Sequence, residues 1–319
     1  MFKSFADNTA IPELFMYFIL SSPFQKQLLC NCTGTTAKGI KADKLKHFLI
    51  PLPPLAEQKR IVAKIEELLP LNERYEKAWT RLEDFNKRFP SDMQKSILQM
   101  AIQGKLVEQR PEEGTGEELY QQIQKEKQAF IKAGKIKKEK PLPKISEDEV
   151  PFDIPESWKW VRFLSAVDIA TNLVQPVEYS EYMHIAPDNI EKGTGKLLEC
   201  RTVEEDEVTS ANHLFFKGQI IYSKIRPLLR KAVIAPFDGL CSADMYPLNT
   251  QLDSSFLLHY LLSDTFNHQI ALAMSSRVKM PKINQDELGK VLLPLPPLAE
   301  QKRIVARLEE LLPLCERLK

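Results

Sequence analysis

The chain has 319 residues, 43% of them hydrophobic and 27% charged, with a formal net charge of +1 at pH 7. That length carries one large or two ordinary domains, and the balanced charge excludes a globally basic nucleic-acid binder, so any basic face must be local. Cys30, Cys32, Cys200, Cys241 and Cys315 are odd in number and contain no C-x-x-C pair, which argues against a disulfide framework and a structural zinc site.

In chain order, Met1–Ala10 is polar and carries acids, unlike a secretion signal. The early apolar run Leu14–Leu20 is too short to span a bilayer, so no membrane association and a reduced, cytoplasmic setting are expected. Pro12–Leu29 reads as a helix with an apolar face. A short strand then leads into the prolines at 51, 53 and 54. Pro54 suits the first turn of a helix and Glu57 sits near its positive end. A helix from Pro54 to Phe89 would be roughly 54 Å long, with a kink expected at Pro70. A short helix in MQKSILQMAIQGKL should stop at Gly104. Glu117–Ala133 is amphipathic, with Leu119, Tyr120, Ile123, Phe130 and Ile131 on one side, and Gly134–Pro155 reads as a solvated Lys/Glu/Pro linker. Strands are expected at Tyr182–Ile185, Leu214–Ile225, Lys231–Pro236 and Leu240–Leu248, and a helix at Ser254–Ala273.

The chain repeats itself. PLPPLAEQKRIVAKIEELLP at 51–70 returns as PLPPLAEQKRIVARLEELLP at 294–313, with 18 of 20 positions identical and only Lys64/Arg307 and Ile65/Leu308 different. The likeness extends upstream: FILSSPFQKQL matches YLLSDTFNHQI, and GIKADKLKHFLIPLPP matches KINQDELGKVLLPLPP. So long a period indicates duplication of a whole module, not a solenoid. One copy reads as complete from about Pro151 to Pro294, whereas residues 1–50 match only its last third.

Ile61, Ile65, Leu68, Asn72, Tyr75, Trp79 and Leu82 step by alternating fours and threes, the spacing of a coiled-coil seam, and Ile304, Leu308, Leu311, Cys315 and Leu318 repeat it. Two copies of one seam are natural antiparallel partners; the alternative is that each helix packs only on its own module.

No motif for chemistry stands out. The GTGK at Gly193–Lys196 lacks the frame of a phosphate loop and reads as a turn. His47, His184, His213, His259 and His268 show no ligand spacing. There is no G-x-S-x-G, and Leu-Pro-Pro-Leu lacks the amide or carboxylate of a base-methylating loop. No catalytic activity and no metal are expected in this chain.

Two stretches are locally basic and free of acids. Val208–Phe237 contributes Lys217, Ser223, Lys224, Arg226, Arg230 and Lys231, and Thr265–Gln285 contributes Arg277, Lys279 and Lys282. Such patches suit phosphates and, where arginine or lysine reaches a groove, base edges. Solvated charges at strand ends are the alternative.

PLPPLAEQKRIV twice, SILQMAIQGKLV, IPESWKWV, and GQIIYSKIRPLLRKAV followed by CSADMYPL together resemble the specificity (S) subunits of type I restriction-modification systems. The resemblance implies an α+β fold in which a strand-rich target recognition domain is joined to long helices that form an antiparallel coiled-coil spacer. It implies a non-catalytic DNA-recognition subunit that directs two methyltransferase (M) subunits, and restriction (R) subunits, to an interrupted target in double-stranded DNA. S-adenosylmethionine, ATP and magnesium would belong to those partners. The expected organisation is the end of a first recognition domain at 1–50, a spacer helix region at 51–110, an amphipathic helix and linker at 111–150, a complete recognition domain at 151–293, and a shortened second spacer helix at 294–319. Because the first recognition domain lacks its front, two outcomes are expected: a half subunit that self-associates, or a silent copy that only binds partner proteins.

Overall fold

The computed structural model describes residues 11–33, 39–134, 142–274 and 281–318. They fall into two compact units, one ending at Lys87 and the other beginning at Arg88.

The first unit holds α1 (Pro12–Leu20), α2 (Ser22–Asn31), the single turn α3 (Ala42–Leu45) and the start of α4 (Leu55–Ile102). Ser21 separates α1 from α2, its hydroxyl donating to the Phe18 carbonyl at 2.6 Å. Phe24 is buried, with its ring set edge-on to those of Phe18 and Phe48. Gln58 is buried and fixes the proline hinge: its Oε1 accepts from the Ile11 amide and its Nε2 donates to the Pro53 carbonyl, both at 2.8 Å.

The second unit begins inside α4, whose Ile97, Ala101 and Ile102 belong to its core. The helix runs unbroken through Pro70 and Pro90, and that burial carries it past Phe89, so the separate short helix expected near residue 100 is the end of α4. Gly104 stops it in the left-handed region (φ +70°), packed so closely that a Cβ there would lie 2.5 Å from the Pro155 ring. α5 (Gly116–Lys132) follows, opened by a capping box in which Thr115 and Glu118 each satisfy the other's amide.

The strands after α5 make a two-stranded ribbon and two larger sheets. In chain order come β1 (Lys159–Arg162), the turn α6 (Phe163–Ala166), β2 (Val167–Ile169), β3 (Leu173–Val174), β4 (Met183–Ile185), β5 (Arg201–Thr202), β6 (Asn212–Phe215), β7 (Ile220–Ser223), β8 (Ala232–Ile234), β9 (Gly239–Cys241) and β10 (Met245–Thr250). After α7 (Ser254–Leu262), α8 (Asp264–Ala273) and α9 (Gln285–Leu288) come β11 (Leu292–Leu295) and α10 (Leu298–Glu316). One sheet has the order β2-β10-β7-β8, the other β3-β6-β9-β4-β5, and β1 pairs antiparallel with β11. Within the second sheet only β4 and β9 run parallel. Ile221 and Val233 from one sheet and Ile185, Phe215 and Cys241 from the other share a core. Alternate residues of the first sheet, Ile220, Tyr222, Ala232 and Leu248, instead join the larger core with α7, α8 and α10.

Further expectations are revised. The strand over Leu240–Leu248 is two strands, β9 and β10, which lie in different sheets. The helix over Ser254–Ala273 is two helices, because Ser263 ends α7 and caps α8, its hydroxyl accepting from the Phe266 amide at 3.2 Å. The strand over Leu214–Ile225 breaks at Gly218 (φ +90°) into β6 and β7. The linker's second half is not free: the buried Arg162 guanidinium donates to the carbonyls of Pro143 and Lys144, at 3.0 and 2.9 Å, and pairs with Glu149 at 2.5 Å.

The repeat is visible residue by residue. Gln301 is buried like Gln58 and makes the same two bonds, accepting from the Asp253 amide and donating to the Pro296 carbonyl, each at 2.9 Å. Burial divides the copies. Leu292, Leu293 and Leu295 are 1, 0 and 0% exposed under the β1 pairing, a gain of about 1.5–3 kcal/mol each, whereas their counterparts Leu49, Ile50 and Leu52 are 81, 42 and 62% exposed.

Candidate nucleic-acid interface

The two basic stretches meet in the second unit. Beyond β7 the chain pairs with the segment before α9: Ile225 bridges Lys282, the Arg226 amide donates to the Pro281 carbonyl at 2.8 Å, and the Ile283 amide donates to the Lys224 carbonyl at 2.9 Å. Arg226 and Arg230 flank a tight turn at Pro227–Leu229, both at positive φ (47° and 52°). Residues other than glycine seldom adopt that backbone, so the turn is held by its surroundings, and the Arg230 guanidinium supplies one tether through the Leu262 carbonyl and Asp264.

The predicted basic residues separate into different roles. Arg226 is exposed and makes no side-chain hydrogen bond or ion pair among the described residues. The Lys224 ammonium lies 5.0 Å over the Tyr246 ring, a position that fixes the cation without spending its N–H donors on an acceptor. Lys282 reaches Asp244 at 2.8 Å. Lys217 is exposed but lies on the β6–β7 turn, at the opposite end of β7 from Lys224, with its amide held by Asp238. Two assignments are corrected. Ser223 is fully buried and its hydroxyl donates to the Ile225 carbonyl at 2.9 Å. Lys231 is 7% exposed, and its ammonium is spent on the Pro187 carbonyl at 2.5 Å and Asp188 at 3.3 Å. Both residues hold the loop in place and cannot reach a ligand. Arg277 and Lys279 lie outside the described residues.

Beside Lys224 is an open concavity of about 530 Å³, lined by Leu173, His213, Lys224, Ala243, Tyr246, Asn284, Gln285 and Asp286. Topology assembles it. Leu173 is paired to His213 across β3 and β6, and Tyr246 to Tyr222 across β10 and β7. Asn284 caps α9 by accepting from the Glu287 amide at 2.8 Å. His213 is buried, and burial together with the Lys224 charge pushes its pKa below the usual histidine value, so its ring is neutral at pH 7. Burial, helped by Glu287 and Asp244, raises the Tyr246 phenol, which stays protonated. Only Lys224 in this set was legible as a site residue. Leu173, His213, Tyr246 and Asp286 come from separated segments, and no local pattern joins them.

The helix seam also divides. Ile61 and Ile65 are half-buried, whereas Leu68, Asn72, Tyr75, Trp79 and Leu82 are exposed. Asn72 bonds Glu76 of its own helix at 3.1 Å, and Tyr75 stacks on Trp79. In the second copy Ile304, Leu308 and Cys315 are buried in the second unit's own core, so the first turns of that stripe are internal packing. Leu311 is half-buried at its edge and Leu318 is exposed.

Among the described residues, no cluster of three or more His, Cys, Asp or Glu is placed to hold a metal, and no helix is long and apolar enough to cross a membrane.

Comparison with known proteins gives these residues a family. The model of the type I restriction modification DNA specificity domain matches residues 2–78 and 176–318. The EcoDI specificity subunit of Escherichia coli is 38% identical over 297 residues, covering 93% of this chain and 62% of that protein. The EcoAI specificity subunit of Escherichia coli is 29% identical, covering 85% of this chain and 54% of that protein. The chain thus spans less than two thirds of the length of either relative. The solved HsdS subunit from Thermoanaerobacter tengcongensis aligns over 97% of this chain and 64% of its own, at 21% identity and a TM-score of 0.42. With both proline-helix segments and the strands from β4 to β11 inside the matched residues, the chain belongs to the type I restriction-modification DNA specificity family.

Proposed function

We propose that this chain is a DNA-recognition subunit that performs no reaction itself and directs methyltransferase and restriction subunits to an interrupted double-stranded target. The observation that carries this reading is the junction of the two basic segments, 224–226 with 281–283, just beyond the end of β7. It leaves Arg226 exposed without a partner among the described residues and Lys224 with unspent donors, beside a concavity that could take a base edge. Phosphate contacts from such cations supply affinity, and groups in the groove supply sequence.

In this reading the exposed stripe from Leu68 to Leu82 is the assembly surface. It either meets the corresponding stripe of a second copy, making a half subunit that reads a symmetric target, or it docks methyltransferase subunits, two being the expected number. S-adenosylmethionine, ATP and magnesium belong to those partner subunits, and the complex works in the cytoplasm.

Selection from a randomised duplex library, using the full chain bound to its methyltransferase partner, tests the proposal. Enrichment of one interrupted sequence is expected, with log affinity falling by about 0.9 per log unit of salt for each phosphate neutralised. Partner binding with no enriched sequence would contradict it and would favour a silent copy that serves only as an assembly fragment.

A further inference from the structure

We propose that the concavity between β3, β6, β7, β10 and α9 reads the major-groove edge of one guanine–cytosine pair, with Lys224 as donor to guanine and Asp286 as acceptor from cytosine. This rests on the DNA-recognition reading above and adds which residues discriminate and for which base pair.

Three observations separate this place from a phosphate site. First, its charges are mixed. Lys224 and Asp286 line the same concavity, and Asp244 stands beside it on Lys282. A phosphate entering there would meet carboxylates, whereas a base-pair edge presents donors and acceptors together. Secondly, the cation is positioned but not neutralised. The Tyr246 ring holds the Lys224 ammonium at 5.0 Å, while the neighbouring Lys282 already has its carboxylate at 2.8 Å. The Lys224 ammonium makes no hydrogen bond or ion pair among the described residues, so its three N–H groups remain for a ligand. Thirdly, the walls are rigid. His213 and Tyr246 are buried on paired strands, and Asn284 is committed to its cap, so the two charged groups project from fixed elements.

The base-pair assignment follows from this donor and acceptor set. Guanine offers adjacent O6 and N7 acceptors to a cation, and cytosine offers an N4 amino group to a carboxylate. Leu173, which is exposed, and Ala243 belong to the same lining and supply apolar contact. Arg226 lies next to this concavity in sequence, outside its lining, exposed and without a partner among the described residues, and is the phosphate contact.

The test compares Lys224→Met, Asp286→Ala and Arg226→Gln in the full chain with its methyltransferase partner. Asp286→Ala is used rather than Asp286→Asn because an asparagine oxygen could still accept from cytosine. Each is assayed for binding to the selected duplex and to its single-base-pair variants, over a range of salt. Lys224→Met and Asp286→Ala are expected to lose discrimination at one and the same guanine–cytosine position by at least about fivefold. The salt slope should stay as in the parent. Arg226→Gln is expected to weaken all duplexes alike and to reduce the salt slope by about one phosphate's share. Uniform weakening by Lys224→Met would make it a phosphate contact and overturn the proposal. So would discrimination retained at every position by Asp286→Ala, a surface change that keeps the test decisive if Lys224→Met misfolds. If the parent itself selects no sequence, the DNA-recognition reading fails, which is a separate result.

Discussion

At the scale of single residues, two buried glutamines account for much of why the hinge sequence occurs twice. Gln58 and Gln301 each use a side-chain amide to join a helix start to a proline carbonyl on the hinge. Replacing Gln301 with alanine strands an amide N–H and a carbonyl in the core, and should cost about 2–3 kcal/mol in urea unfolding of the second unit. Gln58→Ala removes the same bonds from a unit with fewer buried neighbours and should cost less. Equal losses would contradict the burial difference between the copies. A second residue pair predicts a pH dependence. Arg303 grips Glu113 with two hydrogen bonds, at 2.8 and 2.7 Å, and holds its carboxyl below the ordinary value of 4.5. Stabilisation from the pair is therefore full above the unfolded carboxyl range and is lost as pH falls through the lowered folded value. Glu113→Gln should be less stable than the parent by about 1–2 kcal/mol at pH 7, with the gap closing below pH 4.5. Burial raises the Glu300 carboxyl and the Glu113 charge adds a lesser push, so Glu113→Gln also eases Glu300 slightly. A gap unchanged from pH 7 to pH 3 would remove the ion pair as its cause.

At the scale of elements, the duplicated module shows one sequence in two environments. β11 is a buried strand because β1 pairs with it, whereas residues 49–52 have no strand partner among the described residues and leave their leucines and isoleucine exposed. The helices were legible because their apolar spacing and their proline and glycine ends are local signals. Their divisions were less so. Ser21 and Ser263 split two expected helices by capping, and burial of Ile97, Ala101 and Ile102 carried α4 past two prolines. The seam was legible as a stripe, but which part was already covered depended on the fold around it. Its exposed part gives a clear expectation. Leu68→Glu with Leu82→Glu should leave far-ultraviolet circular dichroism close to the parent's and abolish self-association or assembly with methyltransferase subunits in size-exclusion chromatography. An intact complex would show that the stripe is not the assembly surface.

At the scale of the whole molecule, a duplicated hinge and helix accompany a two-sheet unit whose two basic segments pair just beyond β7. The convergence was only half legible. Composition marked both basic stretches, yet it could not separate Lys231 and Ser223, which hold the loop from inside, from Lys224 and Arg226, which remain available. That distinction depends on strand pairing between segments nearly sixty residues apart, Ile225 with Lys282. The most direct measurement is the methylome of cells expressing this chain with its methyltransferase subunits, compared with the same cells lacking the chain. A new interrupted motif, methylated only when the chain is present, is the result expected of a specificity subunit; an identical methylome in the two strains, although the chain is recovered in complex with its methyltransferase subunits, would contradict DNA recognition.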